Sequence, residues 1–473
     1  MKPIKKNKVA GASAMPFERF GITVSLVVMI LMSFVRCDSF VEVEVPDSQL
    51  ASPIVFEDRN TATAALTDVY SKMRDNGMMS GTKTGLSYTL GLYADELDYY
   101  SPSGQDGFLY HSNGLLPTSS AIAALWNSAY SQIYGANAVI YGVENSVSLQ
   151  QSDRNQLKGE ALFIRAMLHF HLANLFGSIP YIAGTDYSAN SKALKISEAQ
   201  VYERAKADLE TASVLLSEQY AAADRTRANR FAAQALLSRI CLYAGNWAEA
   251  ANSASAVLNQ TGTYSLDASL SDTFLIQSPA TILQFSPQVA SVNTKEAVTF
   301  TFTENPSDNA LSSQTVSSFE HGDLRRDLWV ARVEGNGSTY YHASKYTPYR
   351  GLQTEFSKVL RLSEIYLIRA EARARQGEIT SAVEDLNTIR RKAGLPDTEA
   401  ATQQQIIDAV MHERETELFT EFGHRFFDLK RTGKLDITLG ASKPGWDSKD
   451  RLFPLPLPEL QLNPNLQPQN SGF

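Results

Sequence analysis

The chain has 473 residues, 43% of them hydrophobic and 20% charged, with a net charge of −8. That composition is ordinary for a globular protein with a sizeable core, on a length that admits two or three domains. Residues 1–36 hold six basic groups and one acidic, so the remainder sets 37 basic residues against 50 acidic, a net −13, which argues against nucleic acid as the main partner.

Basic residues come first, followed by a 15-residue apolar run, Gly21 to Val35, and then Cys37. This is the order of a secretion signal, and the run falls short of the roughly 20 residues that span a bilayer. A run that stops at a cysteine points to a lipoprotein signal over 1–36 with Cys37 as the lipidated first residue. The alternative is an uncleaved anchor with an incidental cysteine. Arg36 stands where a small residue is usual before cleavage. The other cysteine, Cys241, lies in a helical stretch, so no disulfide is expected and it reads as a small buried apolar residue.

An extended leader over 37–58, with Pro46 and Pro53, precedes a helix over 61–75 whose Ala65, Leu66, Val69 and Met73 share a face. From Gly77 to Pro117 the helical period is lost and Gly, Ser and Tyr abound. Helices resume at 119–145 and 154–176, the second closed by Gly177 and Pro180. Ser197 and Gln200 form a capping box that opens a helix to Ser217. Two further helices over 235–259 meet at Gly245. The longest interruption, 262–357, alternates apolar and polar residues in short bursts such as AVTFTFT and STYYHASKY. Loops of that size inside a domain are usually functional or mobile.

The stretch from Arg361 to Leu395 organises the rest. Leu362, Ile365, Tyr366, Ala370 and Ala374 make one apolar stripe, and Glu371 four residues before Arg375 predicts an exposed ion pair. Gly377 stops this helix; Ser381 and Glu384 read as the capping box of a second, with Val383, Leu386, Ile389 and Ala393 inward and Gly394 and Pro396 at its end. The 235–259 pair lays onto it with Gly245 over Gly377 and Ala250 over Ala382. Paired helices with small residues and a Gly turn are the mark of tetratricopeptide-type hairpins, and separated copies predict a scaffold with inserted material. A helix over 403–422 follows, with Ile407, Met411, Leu418, Phe419 and Phe422 inward, and ends at Gly423. The tail, 444–473, has too many prolines for a helix or central strand and is expected to lie extended on the body. The fold class is therefore all-α: one mainly helical domain over 59–473, with its scaffold at 59–261 and 358–431 and a loop-rich insertion with short strands at 262–357.

No GxSxG, HExxH, P-loop or GxGxxG match occurs. His169 and His171, two apart, fall on opposite sides of a helix and read as packing or surface residues. The run His412 to Glu417 resembles half of a zinc motif, but Thr416 breaks it, and its charges read as a solvated helix face. Asp95, Glu96 and Asp98 could be a glycosidase pair, which needs two carboxylates facing each other across a sugar bond. The reading adopted is that they accept hydrogen bonds from hydroxyls or cap a helix. No catalytic residue, metal ligand or cofactor is assigned.

The aromatics are more informative. Tyr99, Tyr100, Phe108 and Tyr110 fall in the first interruption, and Trp329, Tyr340, Tyr341, Tyr346 and Tyr349 in the second. The apolar face of a sugar ring lies flat on an aromatic ring, while Asp, Asn and Arg take its hydroxyls, and such sites sit on loops held by a rigid scaffold. The candidate ligand residues are Asp95, Asp98, Tyr99, Tyr100, Phe108, Tyr110, Trp329, Tyr340 and Tyr341. The competing reading is that these aromatics pin irregular loops to the body.

Together, CDSFVEVEVPDSQL, KGEALFIRAMLHFHLANLFGSIPYI, LRLSEIYLIRAEARARQGEITSAVEDLNTIRRKAGLP, HERETELFTEFGHRFFDLKRTGKL (with Arg425, Asp428 and Arg431) and LFPLPLPELQLNPNL resemble, in order, the SusD/RagB family of surface glycan-binding lipoproteins. The resemblance implies four tetratricopeptide-like pairs with a loop-rich ligand face, and attachment to the outer membrane through Cys37, exposed outside the cell. It implies capture of an oligosaccharide without bond cleavage and delivery to a SusC-like TonB-dependent transporter. The family's sugar-contacting residues lie partly where this chain has Asp95 to Tyr110, and this chain has no Trp there. Some relatives bind peptides, and a tetratricopeptide scaffold that binds only proteins is the alternative of a different class.

Overall fold

A computed structural model describes residues 53–348 and 353–473. Cys37, the signal over 1–36, the leader up to residue 52 and Tyr349 lie outside the described residues. The described end of the leader is not extended: Pro53–Phe56 is a 3-10 turn that buries Phe56. Asp58 then caps α1 (Arg59–Asp75) by accepting the N–H groups of Asn60 and Thr61.

The region from Gly77 to Pro117, expected to lack helix, contains α2 (Leu86–Tyr93). All eight of its residues are buried, so it has no polar face, and periodicity cannot reveal it. Strand β1 (Leu97–Tyr99) follows. Next come α3 (Ser120–Asn145), α4 (Gln151–Phe176), α5 (Glu198–Leu215, with the Ser197/Gln200 capping box formed), α6 (Arg230–Tyr243) and α7 (Trp247–Leu258). Gly177 and Gly245 take positive φ at the ends of α4 and α6, a conformation that side chains other than glycine's resist.

The insertion holds β2 (Thr281–Phe285), β3 (Asn309–Leu311), β4 (Val330–Gly335), β5 (Ser338–Ala343) and β6 (Ser357–Arg361) among short helices. The strands make three separate antiparallel pairs, β1 with β3, β2 with β6 and β4 with β5. Helices α8 (Leu362–Arg375), α9 (Ile379–Lys392), α10 (Gln403–Glu417) and α11 (His424–Arg431) complete the scaffold. Successive helices pack as pairs, α1 on α3, α4 on α5, α6 on α7 and α8 on α9, and α7 packs on α8 across the insertion. This mainly helical layout agrees with the expected class.

Several local expectations need correction. Helix α9 starts two residues before Ser381, capped by Glu378 without a side-chain bond, so the Ser381/Glu384 box is not made. The Glu371–Arg375 pair is made, at 3.5 Å, but it is not an exposed one: Glu371 is fully buried, and Arg431 also holds both of its oxygens, at 2.8 and 2.7 Å. The helix read to residue 422 stops at Glu417, because Thr420, Phe422 and Gly423 turn with positive φ. The tail is not wholly extended, since Leu457–Leu462 is a short helix with its proline in the first turn, where no intrahelical N–H is lost. Near it, Phe453 and Leu455 are fully buried, and the Phe453 N–H donates to the Leu175 carbonyl.

The run from His412 to Glu417 is not a solvated face either. Glu413, Arg414 and Glu417 are buried; Arg414 pairs with Asp428 on α11 at 2.7 Å, and the partners of the two carboxylates come from remote segments. Arg325 pairs with Asp323, Glu413 and Glu417, Arg361 with Glu417 and Glu421, and Lys345 with Glu421 at 2.5 Å. Buried ions of this kind are tolerated only when each is paired and hydrogen-bonded. The network therefore fastens the insertion to the end of α10. His169 and His171 are packing residues whose Nδ1 atoms meet the carbonyls four residues back, and burial pushes both down to about 3. Cys241 is buried and free.

Candidate functional site

The two aromatic-bearing interruptions are joined to each other. β1 pairs with β3 in the register Leu97↔Leu311, Asp98↔Ala310 and Tyr99↔Asn309, and the Tyr100 N–H donates to the Asp308 carbonyl at 2.7 Å. Alternation along a strand then sorts the side chains. Leu97 and Tyr99 take one side: Leu97 is buried, and Tyr99 lies so close over Gly107 that a Cβ there would meet its ring at 2.5 Å. Tyr99 also stacks on His111, at 6.4 Å and 30°. Asp98 and Tyr100 take the other side.

β4 and β5 form a hairpin whose turn, Asn336-Gly337, has both residues at positive φ, as a two-residue turn between twisted strands requires. Tyr340 and His342 share one face, where His342 meets the Phe302 ring at 4.9 Å. Tyr340 meets Tyr100 edge to face, with centroids 5.6 Å apart and planes at 89°. Tyr100 is 43% exposed and Tyr340 is half-buried. One ring from each interruption thus builds a single, partly open aromatic corner, with the Asp98 carboxylate on the same side of β1 as Tyr100.

Burial raises the pKa of Asp98 from its ordinary value, against the pull of the Lys443 ammonium. It also raises the Tyr100 phenol, with Asp98 and Tyr340 adding to the shift. Lys443 itself falls to about 8 through burial, offset by Asp98 and Asp95, and donates to the Leu92 carbonyl at 2.7 Å. His111 falls to about 4, from burial first and Lys443 second, so it is neutral at pH 7. The Asp98 carboxylate makes no hydrogen bond among the described residues. A half-exposed acceptor beside two tyrosine rings can take sugar hydroxyls while the rings take apolar C–H faces.

Other candidates lie elsewhere. Asp95 is buried, and both of its oxygens accept from Arg425 at 2.8 Å. Glu96 is also interior, so these carboxylates do not face one another across an open cleft. Tyr110 and Trp329 are each 2% exposed; Trp329 donates its indole N–H to the Leu270 carbonyl, and Tyr110 packs on Phe453. Both pin the loops to the body. Tyr346 is buried likewise. Phe108 remains 37% exposed on the short helix Asp106–His111. Tyr341 points to the opposite face of the hairpin from Tyr340, beneath the Arg326 guanidinium at 4.7 Å. Sequence reasoning missed Arg326 altogether.

A cleft of about 350 Å³, walled by Lys83, Thr84, Asp106, Tyr110, Ser120 and Leu125, lies beside the corner. Lys83 links the two, through an ion pair with Asp308 at 2.8 Å. Among the described residues no group of three His, Cys, Asp or Glu could hold a metal ion. None of their helices is long and apolar enough to cross a membrane.

Residues 100–242 match the profile of a family described as starch-binding and associating with the outer membrane, and residues 330–473 match that of the SusD family. The chain is 27% identical to the SusD-like protein P2 of Formosa agariphila, over 94% of this chain and 98% of that protein. Its fold is shared with a SusD superfamily protein of Bacteroides vulgatus (TM-score 0.77, 23% identity, 88% of this chain and 99% of the other). It is shared as well with surface glycan-binding protein A of Bacteroides fluxus (TM-score 0.73, 22% identity, 88% and 99%).

Proposed function

Because the chain belongs to the SusD/RagB family, whose members are carbohydrate-binding proteins and not enzymes, we propose that it is a surface lipoprotein that captures an oligosaccharide and hands it to a SusC-like TonB-dependent transporter. The observation that carries this reading is the contact of Tyr100 with Tyr340. Two segments more than two hundred residues apart in sequence converge to leave two ring surfaces partly open, next to a carboxylate with no protein donor. Within the core such rings would be covered, as Trp329 and Tyr110 are.

In this reading Tyr100 and Tyr340 stack on the sugar, Asp98 accepts its hydroxyls, and Phe108 extends the surface. Asp95, Tyr110 and Trp329 hold the loops in place, and Cys37 carries the lipid that tethers the protein to the outer membrane. The test is to incubate the full-length protein, in detergent, with glycan and peptide panels. Glycan binding that appears without new reducing ends, and weakens in Tyr100→Ala, supports the reading. Cleavage of the glycan, or capture of peptides alone, overturns it.

A further inference from the structure

Beyond Tyr340 the aromatic face of the hairpin continues. His342, two residues on along β5, points to the same side, about 7 Å further on. The Phe302 ring meets it at 4.9 Å, with the planes at 59°. Phe302 comes from the loop between the short helix Lys295–Phe300 and β3. It is half-buried, whereas Phe300, two residues earlier, is buried outright. A ring that served only to fasten this loop would be covered in the same way. Burial lowers the pKa of His342, whose Nδ1 meets the Ala343 carbonyl at 3.0 Å, so the imidazole is neutral at pH 7 and brings no charge to the surface.

The same loop supplies a polar group on this side. Gly335 pairs with Ser338 across the hairpin and so shares a face with Tyr340 and His342. A Cβ on Gly335 would collide with the Asn305 side-chain oxygen, which puts that amide over the same face. Asn305 is exposed, and its amide makes no hydrogen bond among the described residues. One amide offers both an N–H donor and a carbonyl acceptor, which suits neighbouring hydroxyls of a sugar. Tyr340 thus stands between Phe302, beside His342, and Asn305, beside Gly335, all on the side where Tyr100 meets it.

We propose that the site takes at least two consecutive sugar units laid along β5, one on the Tyr100–Tyr340 corner and the next on Phe302, with the Asn305 amide taking hydroxyls of the chain. This rests on the reading of the chain as a glycan-binding protein. The full-length protein, in detergent, is titrated with malto-, laminari- and xylo-oligosaccharides of one to six units. In the series that binds, affinity is expected to rise about tenfold from the one-unit to the three-unit sugar. Phe302→Leu, which keeps apolar packing on His342 but not the flat ring, should remove most of that rise and leave the one-unit affinity as it is. Asn305→Ala, at an exposed position, should remove part of it, and Tyr100→Ala should lower every length alike.

Affinity that does not grow with length, or growth that survives both Phe302→Leu and Asn305→Ala, overturns the inference and leaves glycan capture standing. An equal loss at all lengths in Phe302→Leu overturns it too, since the ring would then support the corner and not a second unit. If none of the three series binds, the ladder is made from whichever glycan a wider panel identifies. A panel with no binder removes the reading beneath the inference, and the inference falls with it.

Discussion

Arg425 holds both carboxylate oxygens of Asp95 at 2.8 Å, joining the first turn of α11 to the segment that leads into β1. Its third nitrogen reaches Glu415 on α10, also at 2.8 Å. The pair is nearly buried, so removing one partner strands the other charge away from water. Arg425→Ala should cost about 3 kcal/mol of stability, the lower end for breaking a buried pair. Replacing both partners together, with Asp95→Leu and Arg425→Met, should cost less than the single change. Chemical denaturation of the three variants checks this, and equal losses in the single and double variants would contradict it.

Tyr100 and Tyr340 should each lose about 1 kcal/mol of glycan affinity on change to alanine, roughly a fivefold rise in Kd. Because the rings touch, the double variant should fall short of the sum. Calorimetric titration of the four proteins decides the point; strict additivity would mean the rings do not act as one surface.

Trp329→Ala separates the loop-pinning role from the stacking role. The ring is buried, packs edge-on to Phe274 at 5.3 Å and lies 5.1 Å from the Lys345 ammonium. Its loss should destabilise the protein by about 3–5 kcal/mol, as large-to-small core changes do. Affinity measured where the variant is still folded should change far less than in Tyr100→Ala.

The scaffold was legible chiefly from its punctuation: the Gly turns at 245 and 377 suffice to place α6 to α9, although α8 is buried on most sides, with Glu364 and Glu371 inside, and is not the one-sided helix its apolar stripe predicts. Helix α2 was not, because a helix buried on every side has no period to read. The charges from His412 to Glu417 misled for a related reason. A buried charge looks in sequence like a solvated one, and Arg325, the partner of Glu413 and Glu417, lies about ninety residues away. Within the site, local sequence named the tyrosines but could not say which would stay open. That depended on the register of β1 against β3, a long-range fact. The split of Tyr340 from Tyr341 could have been read, since Asn336-Gly337 is a strong two-residue turn signal and strand alternation does the rest.

Cys37→Ala should move the protein from the membrane fraction to the soluble fraction if the thiol carries the lipid, since one lost anchor removes most of the membrane affinity. Fractionation of cells expressing the variant, with immunoblotting, reads the outcome directly. A variant that stays with the membrane would point instead to the apolar run Gly21 to Val35 as an uncleaved anchor.

Glu96 gives the fold a pH dependence of definite sign. Its carboxyl is buried, lies beside Asp95 and accepts the Thr420 N–H at 3.2 Å; burial first and Asp95 second push it up to about 8. The folded state thus keeps this proton after the unfolded chain, near the ordinary 4.5, has released it. Between those values the unfolded state binds fewer protons, so stability falls as pH rises, and the contribution is fully present only below about 4.5. Lys345 and Lys358, pushed down to about 8 and about 7, act in the opposite sense at higher pH, because their neutral forms are favoured by folding. Comparison with Glu96→Gln cancels those terms, since the amide can still accept from Thr420 but does not titrate. The stability difference between wild type and variant should therefore shift steadily in the variant's favour from pH 5 to pH 8. Denaturant midpoints taken at half-unit steps measure it, and a difference that stays flat across that range would show that Glu96 does not hold its proton in the fold.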